Sequence, residues 1–424
     1  MKIVVFALHM EVGGSQTNAI ELAAALRDLH GHDVVLFAAP GPMVELAKAK
    51  GLRFIPAPHN KNFLPTLHMM RTLRDVVRRE RPDLVHVWDW WQCIDAFYTL
   101  HLERVPMLVS YTLSDVLHRL LPKTPLTMFG TPELVDRAKA AGRRRAELLV
   151  PPVDVDLNKP GVVDPRPFRD RYNIETNDLV LVTVSRLVTQ LKGESLRRTI
   201  DAVRVLGRDL PLRLIIVGDG EAREELERLA AETNAEIGRH AVIFTGELLD
   251  PRAAYAAADI VVGMGGSALR GMAFGKPVII VGEQNFSSPL TPETANSFYY
   301  YGIYGIGDGS QSNTRLINHI RALAESRDRL PALGVFSRQF VVEHFAIEKI
   351  CAQLEKYCQD AVAQRQRVLA VVADGLRTAA LLHFGKYAPN GIRHLVKRHE
   401  AKTAASLLAQ TRPVQEGVGR SPKG

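Results

Sequence analysis

Short apolar runs rich in β-branched residues alternate with helical patterns along this chain, and the alternation occurs twice. In the first block, residues 2–7 form such a run, and residues 15–29 follow with apolar residues three and four positions apart. Alternation of this kind is typical of parallel strands joined by crossover helices. Each block therefore predicts a doubly wound, Rossmann-like α/β sheet.

A connector at residues 148–160 separates the two blocks, because it holds three prolines and no amphipathic period. We predict domains at residues 1–158 and 159–335, closing helices at 336–360, and a basic extension at 361–424 with helices at about 364–384 and 392–408. The predicted strands are 2–7, 33–37, 52–55, 84–88 and 106–111 in the first domain, and 179–184, 212–217, 242–245, 260–263 and 277–281 in the second.

Positive charge is concentrated in the C-terminal extension. The 424 residues include 54 Lys and Arg and 46 Asp and Glu, a net charge of +8. Residues 361–424 hold 11 basic and 3 acidic residues, so residues 1–360 are neutral overall. A neutral body disfavours nucleic-acid binding, whereas the basic tail is expected to contact an anionic membrane peripherally, or to pack on the body or on another subunit.

Three cysteines are too few for a disulfide framework in a chain of this size, and they favour a reducing compartment. No run of about 18 apolar residues predicts a spanning helix, and the short first apolar run is better explained as a buried strand than as a signal peptide. We therefore expect a cytoplasmic protein with peripheral contact at the inner membrane face.

Three strand-to-helix junctions carry residues suited to binding an anion. At the first, Gly13 and Gly14 let the backbone approach a ligand at the start of a helix; a tight turn with Ser15 as the helix cap is the alternative. At the second, Arg186 and Lys192 follow a strand six positions apart, which suits a diphosphate; solvated loop charges are the alternative.

At the third junction, residues 263–277, three glycines precede a helix. The backbone N–H groups of Gly266 to Ala268 would face an anion there, and close packing of small residues against a sheet is the alternative.

These junctions belong to a longer series of motifs. Over about residues 1–360 the chain resembles the retaining, nucleotide-sugar-dependent glycosyltransferases of the GT-B fold, group 1 (family 4). The resemblance implies two Rossmann-like domains that face a cleft, with the acceptor side in the first domain and the donor side in the second. The motifs that carry it are Gly13-Gly14 and residues 31–34, 82–90, 151–156, 185–193, 217–220, 244–246, 258–259 and 273–278.

The resemblance also implies roles for individual residues. Arg186 and Lys192 would hold the donor diphosphate and act in catalysis by stabilising its charge. Gly13 and Gly14 would lie near the leaving phosphate, and Leu248 would hydrogen-bond the base through its backbone. N–H groups for the phosphate or the sugar would come from Gly265, Gly266, Ser267 and Ala268. Members of this family generally need no catalytic metal, so we expect no metal and no cofactor besides the nucleotide-sugar substrate.

The chain departs from the family where ribose and the reacting centre are expected. The family's paired glutamates align with Val262 and Arg270, and its histidine aligns with Thr112. Because a guanidinium cannot accept hydrogen bonds from hydroxyl groups, Arg270 is expected to pair with a phosphate or an acidic sugar. Glu247 and Glu283 are candidates to replace the missing carboxylates in donor binding.

Acceptor binding is predicted for His9, Trp90 and Thr112. The side chains of Trp88, Trp90 and Trp91 could stack on a sugar, and packing as an aromatic edge is the alternative. The predicted function is transfer of a sugar from a nucleoside-diphosphate sugar to an unidentified glycan, lipid-linked or small acceptor. The alternatives are an inactive nucleotide-sugar-binding subunit, which the missing glutamates favour, and an epimerase of the same fold, which needs acid–base carboxylates and a histidine in the cleft.

Overall fold

The computed structural model of the chain describes residues 1–59, 65–89, 92–111, 119–189, 191–364 and 368–387. The predicted acceptor residues Trp90 and Thr112 and the predicted helix at 392–408 lie outside these ranges.

The first sheet consists of seven parallel strands. They are β1 (Lys2–His9), β2 (Asp33–Ala39), β3 (Arg53–Pro56), β4 (Leu84–Trp88), β5 (Met107–Tyr111), β6 (Leu126–Phe129) and β7 (Ala146–Leu148). Their order across the sheet is β3-β2-β1-β4-β5-β6-β7. The central strand β1 is buried on both faces, because Ile3 and Val5 join one apolar cluster while Val4 and Phe6 join another. Burial on both faces explains why these strands appear in the sequence as continuous apolar runs.

Within the described residues, five helices lie between the strands of this sheet along the chain. They are α1 (Gly14–His30), α2 (Val44–Ala49), α3 (Leu67–Glu80), α4 (Cys93–Glu103) and α5 (Pro132–Ala140). The side chains of Thr66 and Thr131 cap α3 and α5 by accepting hydrogen bonds from backbone N–H groups of the first turn.

The second sheet has six strands, of which the last is antiparallel to its neighbour. They are β8 (Leu179–Val184), β9 (Leu212–Val217), β10 (Val242–Gly246), β11 (Ile260–Gly263), β12 (Val278–Val281) and β13 (Ser287–Pro289), in the order β10-β9-β8-β11-β12-β13. The accompanying helices are α6 (Arg166–Arg171), α7 (Gly193–Leu206), α8 (Arg223–Ile237), α9 (Arg252–Ala257), α10 (Gly265–Ala273), α11 (Pro292–Tyr301), α12 (Thr314–Glu325) and α13 (Leu330–His344), with a 3-10 turn at Arg327–Arg329.

The chain then returns to the first sheet through α14 (Ile347–Ala363). This helix packs against α1, β4 and β5, and Cys351 and Cys358 are buried on it. Glu355 pairs with His32, and the Tyr357 hydroxyl donates to the Leu148 carbonyl at 3.2 Å. Helix α14, which follows the second sheet in the sequence, therefore packs on the first sheet.

Helix α15 (Val368–Tyr387) packs beside α4, where the Tyr98 hydroxyl donates to the Gly375 carbonyl at 2.8 Å. This part of the C-terminal extension lies on the body. Packing on the body was the alternative to membrane contact that the sequence left open. Among the residues that the structure describes, no helix is long and apolar enough to cross a membrane.

All ten predicted strands are present, so the prediction of two doubly wound sheets is confirmed, and β3, β5 and β12 each begin one residue later than expected. The strands β6, β7 and β13 were not predicted, because they are only four or three residues long and show no period of their own. The domain boundaries at 158, 335 and 360 stay predictions.

Candidate donor site between the two sheets

Two side-chain contacts join helices that follow the carboxyl edges of the two sheets. Arg270 Nη2 on α10 lies 3.2 Å from Glu21 Oε1 on α1, and the Tyr300 hydroxyl on α11 donates to Asp136 Oδ2 on α5 at 2.8 Å. In parallel α/β sheets the loops at the carboxyl edge form the ligand site. The loops after β1 and β11, which lead into α1 and α10, therefore lie at facing edges of the two sheets, and we call the space between these edges the cleft.

Arg186 and Lys192 lie in the loop between β8 and α7, at the carboxyl edge of the second sheet. Arg186 is exposed and Lys192 is half-buried. Burial and the nearby positive charge of Arg186 lower the pKa of Lys192. Neither side chain forms an ion pair or a hydrogen bond with a described residue, and no side chain caps α7, which begins at Gly193. The structure thus brings together two cations and a helix N-terminus, a combination that favours an anion.

Two glycines fix the backbone that carries Arg186. The Leu187 N–H donates to the Asp219 carbonyl at 2.9 Å, and the Ala222 N–H donates to the Leu187 carbonyl at 2.8 Å. A Cβ on Gly218 would lie 1.9 Å from the Ser185 carbonyl oxygen, and one on Gly220 would lie 2.5 Å from that of Leu187. The 217–220 motif therefore serves to hold the Arg186 loop closely against β9.

The glycine-rich loop after β11 opens α10 at Gly265, which has a positive φ of 55°. The Gly265 N–H donates to the Ile303 carbonyl at 2.7 Å, so this predicted anion donor is already occupied. Gly266 and Ser267 lie in the first turn, where no side chain caps the helix, and the Ser267 hydroxyl accepts from Tyr255 at 3.3 Å. Ala268 follows, and its side chain is buried. The donors left for an anion are thus the first-turn N–H groups after Gly265.

Arg270 lies one turn into α10, and its guanidinium turns back to the glycine-rich loop. Its Nη1 is 3.4 Å from the Gly266 carbonyl oxygen, while its Nη2 pairs with Glu21. The side chains of Arg270 and Glu21 are 26% and 14% exposed. Glu21 Oε2 is buried and has no hydrogen-bond partner among the described residues. Val262, the other position aligned with a family glutamate, is buried in β11.

Glu21 was missed in the sequence analysis. It is the only acidic residue in the first three turns of α1, and it lies between the buried residues Ile20 and Leu22. A lone carboxylate between buried apolar residues was the sequence feature that could have pointed to a partnered acid. Its partner Arg270 lies 249 positions away along the chain.

The loop after β12 is held against the first turn of α7 by Glu194, which was also missed. Its carboxylate accepts from the backbone N–H groups of Gln284 and Asn285 at 3.0 and 2.8 Å, and from Arg198 Nε at 2.8 Å. Burial opposes ionisation here, but Arg198 and the two N–H groups keep the pKa of Glu194 below its usual value. Glu283 precedes this loop, and its carboxylate accepts from the Tyr304 hydroxyl.

The other predicted donor residues lie after β10. Glu247 is exposed, and Leu248 is half-buried against the apolar cluster that runs between the two sheets. The Gly218 N–H donates to the Gly246 carbonyl at 2.9 Å, so the loop carrying Glu247 is anchored beside the 217–220 motif. Of the two candidate carboxylates, only Glu283 is held by a side-chain hydrogen bond among the described residues.

At the edge of the first sheet, Gly13 is the residue that precedes α1, and no side chain caps this helix. Ser15 therefore does not cap it; its hydroxyl donates to Asp89 Oδ2 at 2.9 Å at the end of β4. A Cβ on Gly14 would meet no atom within 4 Å, so open space adjoins the first turn. His9 Nδ1 lies 3.4 Å from Gln16 Nε2, which places His9 beside the same turn.

Trp88 is buried and lies beside His86, with ring centroids 5.3 Å apart, so it belongs to the packed aromatic edge rather than to a stacking surface. Within the described part of the chain, no group of three His, Cys, Asp or Glu residues is arranged to hold a metal ion.

Two Rossmann-like sheets with facing carboxyl edges and an anion-favouring junction between them define the GT-B class of fold. A model named Glycosyltransferase Family 4 matches residues 12–127, and a model named Glycosyl transferases group 1 matches residues 178–289. The two matches together span more than half of the sequence. The chain belongs to the group 1 (family 4) glycosyltransferases and is a glycosyltransferase.

Solved structures share the fold at low sequence identity. Anabaena Alr3699/HepE in complex with UDP has a TM-score of 0.66 at 18% identity, with 85% of this chain and 100% of that one covered. A glycosyltransferase from Rickettsia africae has a TM-score of 0.67 at 14% identity, covering 86% and 99%. Sucrose-phosphate synthase from Thermosynechococcus elongatus has a TM-score of 0.63 at 16% identity, covering 85% and 99%. No curated protein matches this chain in sequence.

Proposed function

We propose that the protein transfers a sugar from a nucleoside-diphosphate sugar to an acceptor, with the donor diphosphate held between Arg186, Lys192 and the first turns of α7 and α10. The observation that carries the proposal is the pair of cations without a described ion-pair partner beside the uncapped start of α7. Anabaena Alr3699/HepE was solved with UDP and with UDP-glucose, which supports a donor of this class.

The chemistry follows from charge. The departing nucleoside diphosphate gains negative charge as the bond to the sugar breaks, and two cations together with helix N-termini stabilise that charge. No step in this scheme requires a bound metal, so we propose metal-independent transfer. Closing of the cleft excludes water, which otherwise competes with the acceptor for the sugar.

The remaining parts of the proposal rest on the family. We propose transfer with retention of the anomeric configuration, and acceptor binding beside His9 and the first turn of α1. We also propose a reducing, cytoplasmic location, which the three free and buried cysteines support.

A thermal-shift screen with UDP-, GDP-, ADP- and TDP-sugars tests donor binding, since a ligand that binds only the folded state raises the unfolding temperature. One base is expected to give a specific shift. Because hydrogen bonds to charged groups contribute roughly 1.5–3 kcal/mol, Arg186→Ala should weaken nucleotide binding by about one to two orders of magnitude. The matched control is Arg208→Ala, two residues beyond the C-terminal end of α7, where Arg208 pairs with Glu236 at 2.9 Å.

Turnover separates an enzyme from a binding subunit. Hydrolysis of the donor with water as acceptor is measured first, and the anomeric configuration of the released or transferred sugar is then read by NMR. Binding of a nucleotide sugar without any hydrolysis or transfer would support the inactive subunit instead. Equal nucleotide affinity in the Arg186→Ala and wild-type proteins would contradict the proposed diphosphate contact.

A further inference from the structure

Helix α15 packs on the body through a face that carries polar residues. Its inward positions recur at three- and four-residue spacing and are Val371, Asp374, Gly375 and Thr378. Asp374 and Thr378 are 5% and 0% exposed. A helix on the surface of a protein normally turns its apolar stripe inward and its charged residues to solvent, whereas the charged residue is buried here.

Polar contacts explain why this face is directed inward. Asp374 Oδ2 accepts from the Lys123 and Thr124 N–H groups at 2.5 and 2.8 Å. Arg377 donates to the Arg119 and Leu121 carbonyls at 2.7 and 3.0 Å. The helix thereby fixes the connection that precedes β6, and its orientation on the body is set by these hydrogen bonds.

The outward face is apolar. Val368, Leu369, Val372 and Leu376 are 75%, 84%, 53% and 68% exposed, and they share one side of the helix. The other exposed described positions of α15 are alanines and His383, so none of the exposed described positions is an Asp, Glu, Lys or Arg. We call this set of four side chains, Val368, Leu369, Val372 and Leu376, the α15 face.

We propose that the α15 face lies in the headgroup region of an anionic membrane. A contiguous exposed apolar face of this kind typically contacts a partner or a membrane. The sequence after Tyr387 supplies the charge, since residues 388–424 contain seven basic and two acidic residues. Positive charge that follows an apolar helix in the sequence favours binding to an anionic lipid surface. The same charge opposes a symmetric pairing of two copies through this face, because it would bring two positive segments together.

The interaction is peripheral, because α15 is held to the body by its polar face and is not apolar enough to span a bilayer. Both apolar burial and charge contribute to such binding, so it weakens with added salt without disappearing. The proposal does not depend on the transfer reaction, and its test needs no donor or acceptor.

Co-sedimentation of the full chain with vesicles tests the α15 face. Vesicles of phosphatidylcholine alone are compared with vesicles that also contain phosphatidylglycerol. The test variant is Leu369→Glu with Leu376→Glu, and the matched control is Leu157→Glu with Val335→Glu, at side chains that are 50% and 58% exposed elsewhere. All four positions are at the surface, so neither variant is expected to alter the fold, and circular dichroism checks this.

We expect the wild type and the control to bind the anionic vesicles, and the test variant to bind them at least about tenfold more weakly. Replacing Arg393, Lys397, Arg398 and Lys402 by Gln in the full chain should also weaken binding about tenfold or more. Equal binding by the test and control variants, or no binding by the wild type at low salt, would overturn the proposal. Light scattering tests the alternative that two copies of the chain pair through this face. A wild type that is dimeric and a test variant that is monomeric would overturn the membrane proposal in favour of that pairing.

Discussion

Lys192 combines partial burial with a neighbouring positive charge, and both lower its pKa. A bound diphosphate would supply negative charge and return the pKa towards its usual value. Nucleotide binding should therefore take up a proton in the pH range between the lowered and the restored pKa. Affinity is expected to fall as the pH rises through the lowered value, because the neutral amine binds phosphate less strongly.

Lys192→Arg provides the comparison, since a guanidinium stays protonated over the whole range. Calorimetric titration with the nucleotide that binds in the screen, over roughly pH 7 to 10, should show a decline for wild type that the variant lacks. The nucleotide's own titration is common to both proteins and cancels in the comparison. Parallel pH profiles for the two proteins would mean that Lys192 does not contact the diphosphate.

The elements that carry the site depend on glycine where backbones meet. Gly218 has a φ of 138°, and an added Cβ would lie 1.9 Å from the Ser185 carbonyl oxygen. Gly218→Ala should therefore destabilise the fold by about 1–3 kcal/mol through backbone strain alone and displace the loop that carries Arg186. We expect a lower unfolding temperature together with at least about a tenfold loss of nucleotide affinity, as expected when a hydrogen bond to a charged group is lost.

Gly238→Ala is the control for this substitution. Gly238 ends α8 with a φ of 80°, and a Cβ there would meet no atom within 4 Å. This change should cost about 1 kcal/mol of stability and leave nucleotide affinity unchanged. If both variants bind nucleotide as the wild type does, the 217–220 motif does not position Arg186.

Local sequence signals predicted the elements that are buried on both faces, because strands such as β1 and β12 are largely continuous apolar runs. They also led to Arg186 and Lys192, which directly follow the end of a strand. The strand β13 escaped prediction because it is three residues long and lies beside a loop whose glycine, Gly282, approaches the Gly305 carbonyl. Such contacts between distant segments leave no local period in the sequence.

Contacts between distant segments also explain which parts of the site were not predicted from the sequence. The N–H of Gly265 was expected to be free, and its acceptor Ile303 is far along the chain. Glu194 was not singled out from the sequence, although it holds the loop at Gln284 and Asn285. Arg270 was predicted to face an anion from outside the protein, and the structure gives it Glu21 from the other domain.

At the scale of the whole molecule, the Glu21–Arg270 pair connects the two halves of the cleft. Arg270→Glu would place two carboxylates together, one of them with an oxygen that is already buried and without a described partner. Leaving charges unpaired at a partly buried site is costly. We expect this single variant to unfold at a lower temperature and to lose donor turnover, and Glu21→Arg to do the same by placing two guanidinium groups together.

The double variant Glu21→Arg with Arg270→Glu restores a pair of opposite charges in reversed order. If the pair only held the domains together, the double variant would recover both stability and turnover. Because the guanidinium of Arg270 also lies 3.4 Å from the Gly266 carbonyl oxygen at the glycine-rich loop, we expect stability to recover while the order of preference among donors changes. The measurement is the unfolding temperature together with kcat/KM for each nucleotide sugar, analysed as a double-mutant cycle.

Tyr300→Phe, which removes the hydroxyl that donates to Asp136, is the control for an interdomain contact without a role at the donor. Unchanged turnover and donor preference in Arg270→Ala would show that Arg270 acts neither on the donor nor on closing of the cleft.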